Sequence, residues 1–137
     1  KRRRKAMYDL IEAEIRNYHE TKRELEQLKS EIIESTPVSD VPAYTGPGDP
    51  TAQKAIKLRT SRVIMEVEKR VNAVGYALET YKHHEDPARY KFIKLWYFDN
   101  RFTPEGVIQQ VCISRRTFYN WRDEFVGLVA ERLGWEL

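Results

Sequence analysis

The chain has 137 residues, 41% hydrophobic and 33% charged, with a formal net charge of +3. That length allows one modest domain, or a small domain with a long helical extension, and the apolar content is too low for a large solitary core. Lys1–Lys5 supplies five of the 24 basic residues, so the remainder holds 19 against 21 acidic ones, a net of −2; basic character is local, not a property of the whole surface.

A single cysteine, Cys112, excludes an internal disulfide and fits a reducing compartment. No run of about eighteen apolar residues is present, so neither a membrane span nor a membrane partner is expected. The basic N-terminus has no apolar stretch behind it and does not read as a secretory signal. The expected location is the cytoplasm, and the natural start is expected upstream because the sequence does not begin with Met. The run Lys1–Lys5 reads equally as a solvated tail or as an auxiliary phosphate contact.

From about Met7 to Glu34 the sequence predicts one long helix. Ile11, Ile15, Tyr18, Leu25, Leu28 and Ile32 recur at steps of three, four or seven, a one-sided stripe interrupted by Lys22 and Lys29. Ser35–Pro50 holds four prolines and two glycines and reads as a linker or ordered loop. Asp49-Pro50 resembles a helix start, and a second long helix is predicted from about Thr51 to His83. Its seam of Ile64, Val67, Val71, Val74, Leu78 and Tyr81 has heptad spacing, so an antiparallel hairpin and a coiled coil fit equally. Glu85-Asp86-Pro87 opens a third helix, about Pro87–Tyr97, rich in aromatic residues and expected in the core. No strand or internal repeat is apparent.

Two shorter segments carry the functional reading. Thr103-Pro104-Glu105 has the form of a helix start, with Val107, Ile108 and Val111 as the buried side of a helix to about Val111. Cys112-Ile113 makes a turn, Ser114 caps the next helix, and Ile113 is placed to act as a hydrophobic staple. In that helix, about Ser114–Leu133, Phe118, Trp121 and Phe125 form a stripe toward the core. Arg115, Arg116, Tyr119 and Asn120 fall on opposite or flanking sides. Arg can bond guanine bidentately and Asn adenine, while Ser114, Thr117 and the free N–H groups can meet phosphates. With Arg122, these seven residues are the candidate DNA-binding set. No acidic residue interrupts Ser114–Arg122, so local phosphate repulsion is expected to be absent.

Thr103–Trp121, continued by Arg122-Asp123-Glu124 and Ala130-Glu131-Arg132-Leu133-Gly134, resembles the helix-turn-helix of phage late transcription activators of the RinA/ArpU type. Their C-terminal domain is similar to region 4 of bacterial sigma factors. Ile15-Arg16-Asn17-Tyr18-His19-Glu20-Thr21-Lys22 resembles that family's opening helix, and Lys54-Ala55-Ile56-Lys57-Leu58 resembles the segment after its Pro/Gly-rich stretch. Helix-turn-helix turns usually carry Gly where this chain has Cys112 and a small residue where it has Ile108, which predicts a wider or differently packed turn.

Other candidates are weaker. His83, His84, Glu85 and Asp86 lack a second ligand cluster at zinc spacing and read as a polar helix end. His19 reads as structural or solvated, Cys112 as a buried packing residue, and Trp96, Trp121 and Trp135 as core. No phosphate-cradling loop, nucleophile elbow or carboxylate pair can be made out, so neither catalysis nor a cofactor is expected.

The sequence thus predicts an all-α protein. Long helices over 1–84, forming a hairpin or coiled coil, carry a linker at 35–50; a small helix-turn-helix domain over 85–137 comes after them. The expected function is that of a sequence-specific, double-stranded DNA-binding transcriptional regulator, which the resemblance makes a phage late-gene activator in the host cytoplasm. The long helices would support homo-oligomerisation or contact host RNA polymerase. A small terminase subunit recognising phage DNA, and a helical adaptor that binds no DNA, are the alternatives.

Overall fold

A computed structural model of the chain describes residues 2–35, 50–99 and 101–137. The regular elements among them are all helical: α1 Arg2–Arg16, α2 Tyr18–Ser35, α3 Pro50–Lys82, α4 Pro87–Ile93, a π-helical segment Lys94–Asp99, α5 Pro104–Val111 and α6 Arg115–Leu133. The linker expected around 35–50 falls mostly outside the described residues, as do the proposed Asp49 cap and the side chain of Ile32.

Two of the predicted helices differ in detail. The single helix expected over 7–34 is interrupted at Asn17, whose amide still bonds the Ala13 carbonyl at 3.0 Å. Asn competes with the helix through its own short amide and is a weak helix former, so a local interruption there is inexpensive. The predicted third helix changes type at Lys94. Its π turn changes the pitch of the aromatic segment so that Phe92, Ile93 and Tyr97 are all buried while Leu95, Trp96 and Phe98 are half-buried against the same core.

The described chain divides into two compact units, 1–18 with 70–137, and 19–69. This division differs from a boundary near residue 84, for a reason of packing. Ile11 and Ile15 of α1, with Val74, Ala77, Leu78 and Tyr81 of α3, are buried in the same core as Phe92, Ile93, Tyr97, Val107 and the apolar face of α6. The C-terminal helices alone would leave that core open on one side.

Aromatic rings dominate the larger unit's interior. Phe118 meets Phe92 edge-on at 5.1 Å and Trp96 at 5.2 Å, and Phe125 meets Tyr81 at 5.0 Å. Each such pair adds about 0.5–1.5 kcal/mol to the burial itself. Polar contacts tie α1 to this core. The Tyr97 hydroxyl donates to Glu12 Oε2 at 2.8 Å, the Tyr8 hydroxyl to Asp123 Oδ1 at 2.7 Å, and Arg70 pairs with Glu14 at 3.3 Å. Burial, reinforced by these carboxylates, pushes both tyrosine hydroxyls well above their ordinary range, so both remain donors.

In the smaller unit, Leu25 is buried, Leu28, Ile64 and Val67 are half-buried, and Lys29 is ion-paired with Glu68. The α3 seam is therefore shared: its Val74, Leu78 and Tyr81 belong to the larger core, and its Ile64 and Val67 lie in the other unit.

Ile15→Ala is expected to destabilise the larger unit by about 2–5 kcal/mol, the cost of emptying a buried aliphatic site. Denaturant unfolding monitored by tryptophan fluorescence measures it. A loss below about 0.5 kcal/mol would mean that α1 is a solvated extension.

Candidate nucleic-acid interface

The α5–α6 pair is built from local signals. Thr103 Oγ1 accepts from the Gly106 amide at 3.1 Å and Pro104 occupies the first turn, while Glu105 stands at the positive end of the α5 dipole. Ser114 Oγ accepts from the Thr117 amide at 3.0 Å and donates to Thr117 Oγ1 at 2.9 Å. Between the helices lie only Cys112, Ile113 and Ser114. Cys112 takes the left-handed conformation (φ 61°, ψ 48°), and the amides of Cys112 and Ile113 both bond the Ile108 carbonyl. The glycine usual at this position is absent, and Cys112 adopts the left-handed geometry itself. It is exposed, not buried as its residue type suggests, because a residue in this capping position projects from the end of the helix.

The rotation of α6 is fixed by Phe118, Trp121, Phe125, Val126 and Val129, all buried. Of the seven candidate residues, Ser114, Arg115, Arg116 and Asn120 are exposed, and Thr117 and Tyr119 are half-buried. Arg122 departs from the outward set. Its side chain is only 27% exposed, its guanidinium lies over Tyr119 at 4.9 Å and Tyr8 at 5.2 Å, and it approaches Asp123 at 3.7 Å. Seven residues beyond Arg115 bring it back to the same side of the helix, but there α1 covers it.

The expectation that no acid would stand near this face is also corrected. Glu105 reaches from α5 to pair with Arg115 at 2.9 Å, both side chains being well exposed. The Glu105 carboxyl is held below its ordinary range, first by a hydrogen bond from its own backbone amide and then by Arg115. The pair joins residues ten apart, so the run 114–122 read by itself does not reveal it. Arg115 is also 5.6 Å from the Tyr119 ring, leaving Arg116 and Asn120 as the exposed polar residues of the first two turns with no ion-pair partner among the described residues.

Lys91, which the sequence does not single out, donates to the Gln110 carbonyl at 3.1 Å and so caps the C-terminal end of α5 from α4. Arg89 pairs with Glu124 at 2.7 Å and lies 5.0 Å from the Trp121 ring, bracing α6 at the residue next to the one that α1 holds. The two histidines after α3 are accounted for locally: His84 Nδ1 accepts from the Asp86 amide at 3.0 Å, and His83 faces Glu79 at 3.1 Å. No group of three metal-ligating side chains occurs among the described residues, and no helix there is long and apolar enough to cross a membrane. Comparison with known protein families, with curated proteins and with solved structures finds no match.

Two measurements probe this geometry. Cys112→Gly is expected to stabilise the protein by about 0.5–1 kcal/mol. Relief of roughly 1–2 kcal/mol of left-handed strain is partly offset by the greater unfolded-state entropy of glycine. The denaturation midpoint should rise with unchanged slope, and a fall would show that the thiol does more than cap. Second, the Glu105 carboxyl should titrate below an ordinary glutamate by NMR and move upward in Arg115→Ala. Because its folded-state pKa is depressed, its contribution to stability is present above the ordinary carboxylate range and lost as pH falls through the depressed value. An unchanged titration in the variant would mean that the ion pair is not formed in solution.

Proposed function

We propose that this chain is a sequence-specific DNA-binding regulator that reads duplex DNA with the first two turns of α6. The observation that carries the reading is the rotation of that helix. Phe118, Trp121 and Phe125 are buried together, while Arg115, Arg116 and Asn120 stand exposed behind a capped N-terminus and a three-residue turn. A recognition helix needs this arrangement, since its N-terminal side chains must reach base edges while its other face is held by the domain.

Arg116 is suited to bidentate bonding with guanine and Asn120 with adenine; each such contact is worth about 1–3 kcal/mol of discrimination. Arg115 enters restrained by Glu105. That carboxylate fixes the guanidinium before binding and disfavours a phosphate at the same point, so Arg115 is better suited to a base edge than to the backbone. Ser114 and Thr117 are committed to the cap, which assigns them to positioning the helix and presenting its free amides to a phosphate. Tyr119 would line the groove wall, and Arg122 would hold α6 on α1 without reaching a base.

The resemblance of Thr103–Trp121 and the segments around it to RinA/ArpU-type activators directs the proposal toward late-gene activation in a phage-infected cell's cytoplasm. The helices of 19–69 would then provide self-association or a contact with host RNA polymerase.

The test is recovery of bound fragments from the source genome at about 0.15 M salt, where nonspecific phosphate binding is weakened. The Arg115→Ala/Arg116→Ala double variant runs in parallel. The expected result is enrichment of a promoter-proximal site by the parent, with a loss of roughly tenfold or more in the variant. Enrichment of a packaging site would transfer the chain to the small-terminase reading. Equal behaviour of parent and variant would remove α6 as the reading helix.

A further inference from the structure

We infer that the basic turn Arg2–Lys5 is a second DNA contact, a phosphate-binding flank held against the reading helix; this rests on the function proposed above. By sequence alone, that run reads equally as a solvated tail. In the structure it is the first turn of α1, a helix whose Ile11 and Ile15 are completely buried in the core of the larger unit. It is therefore carried on a docked element.

Its place is set by Tyr8. One turn beyond Arg4, Tyr8 donates to Asp123 of α6 and stacks with Arg122, and an open groove is lined jointly by Arg4, Lys5, Tyr8, Arg122 and Asp123. Asp123 lies seven residues after Arg116, on the same side of α6 and about 10.5 Å further along its axis. The major groove is about 12 Å wide. With Arg116 at the base edges, the helix near Asp123 would be at the groove's margin, where the phosphate backbone runs, and Arg4 and Lys5 share that end.

The electrostatics point the same way. Arg2, Arg3, Arg4 and Lys5 are all exposed, and none is ion-paired among the described residues. Four adjacent cations repel one another, and α1 has no acidic residue in its first turn to offset them. Asp9, Glu12 and Asp123 also border the groove, which places a phosphate backbone along the rim formed by Arg2–Lys5 and not inside the groove. A polyanion running past the rim would relieve the repulsion. The site offers a set of delocalised charges with no enclosed pocket, so it suits a sugar-phosphate backbone more than a small anion. Being fixed beside the reading face, it is better placed for a duplex than for a lipid surface.

Salt dependence of duplex binding separates the two surfaces. The variant Arg2→Gln/Arg3→Gln/Arg4→Gln/Lys5→Gln should keep the parent's order of preference among sequences, while its slope of log K against log salt becomes shallower by roughly two to four. Arg2→Lys/Arg3→Lys/Arg4→Lys should restore the slope, showing that charge and not loss of helix is responsible. Equal slopes for parent and glutamine variant, with binding lost in Arg115→Ala/Arg116→Ala, would overturn this inference and leave the reading helix standing. Conversely, a slope reduced by the glutamines with sequence preference untouched by Arg115→Ala/Arg116→Ala would overturn the reading helix and retain the flank. A parent that binds no duplex would overturn both, and binding of the parent to anionic vesicles in place of duplex, abolished by the glutamines, would reassign the run to a membrane surface.

Discussion

The burial of Phe118 between Phe92 and Trp96 is the contact on which the rest of the larger unit depends. It fixes the rotation of α6 about its own axis, and rotation decides which side chains face outward. One residue of register, 100° on a helix, would put Thr117 or Tyr119 in the place of Phe118 and turn Phe118 out to the flank of the core. Trp121 and Phe125 continue the same face, so no single apolar contact has to hold the orientation alone. Interiors packed this densely do not deform continuously, and the outward face is as well defined as the inward one.

α1 completes this arrangement from a distance in sequence. Its two isoleucines close the core, while Tyr8 and Glu12 form hydrogen bonds with Asp123 and Tyr97. Neutral hydroxyls bonded to carboxylates stabilise the docked helix without burying an unpaired charge, which is the costly alternative. The same contacts explain Arg122. Once Tyr8 and Asp123 are in place, its guanidinium is held between rings and has little freedom to reach outward. Arg89, paired with Glu124, restrains α6 on another side, so the helix is held by charge pairs at its edges and by aromatic packing beneath.

Legibility in the sequence tracks the range of the interactions involved. The caps Thr103 and Ser114 are legible because each acts within three residues of itself, and the aromatic stripe of α6 because its period repeats within one helix. Arg122 is misleading because its neighbour Tyr8 is more than a hundred residues away, and the Glu105–Arg115 pair is hidden because it spans a turn. The π-helical segment has no reliable signal of its own, since its residues would serve an ordinary α-helix equally well and core packing decides between them. Asn17 could be suspected from its weak propensity, although the apolar stripe runs straight past it. Cys112 is the opposite case. Its position in the turn is correctly located from sequence, but the inference from residue type to burial fails because the left-handed cap turns the thiol outward, at a strain cost of roughly 1–2 kcal/mol.

Charge is distributed in keeping with the division of tasks proposed for α6 and α1. The chain outside Lys1–Lys5 carries a slight excess of acid, so long-range attraction to a polyanion must come from the basic turn and from local clusters. The proposed reading face supplies few cations, one of them already paired, and would gain little from charge alone. That is a favourable starting point for selectivity, because phosphate attraction adds to every site equally while hydrogen bonds to base edges separate one sequence from another. Glu105 sharpens the contrast: near a phosphate its charge is a penalty, whereas at a base edge it keeps Arg115 oriented. A surface with its cations at the margin and its hydrogen-bonding groups at the centre can therefore associate through one set and discriminate through the other.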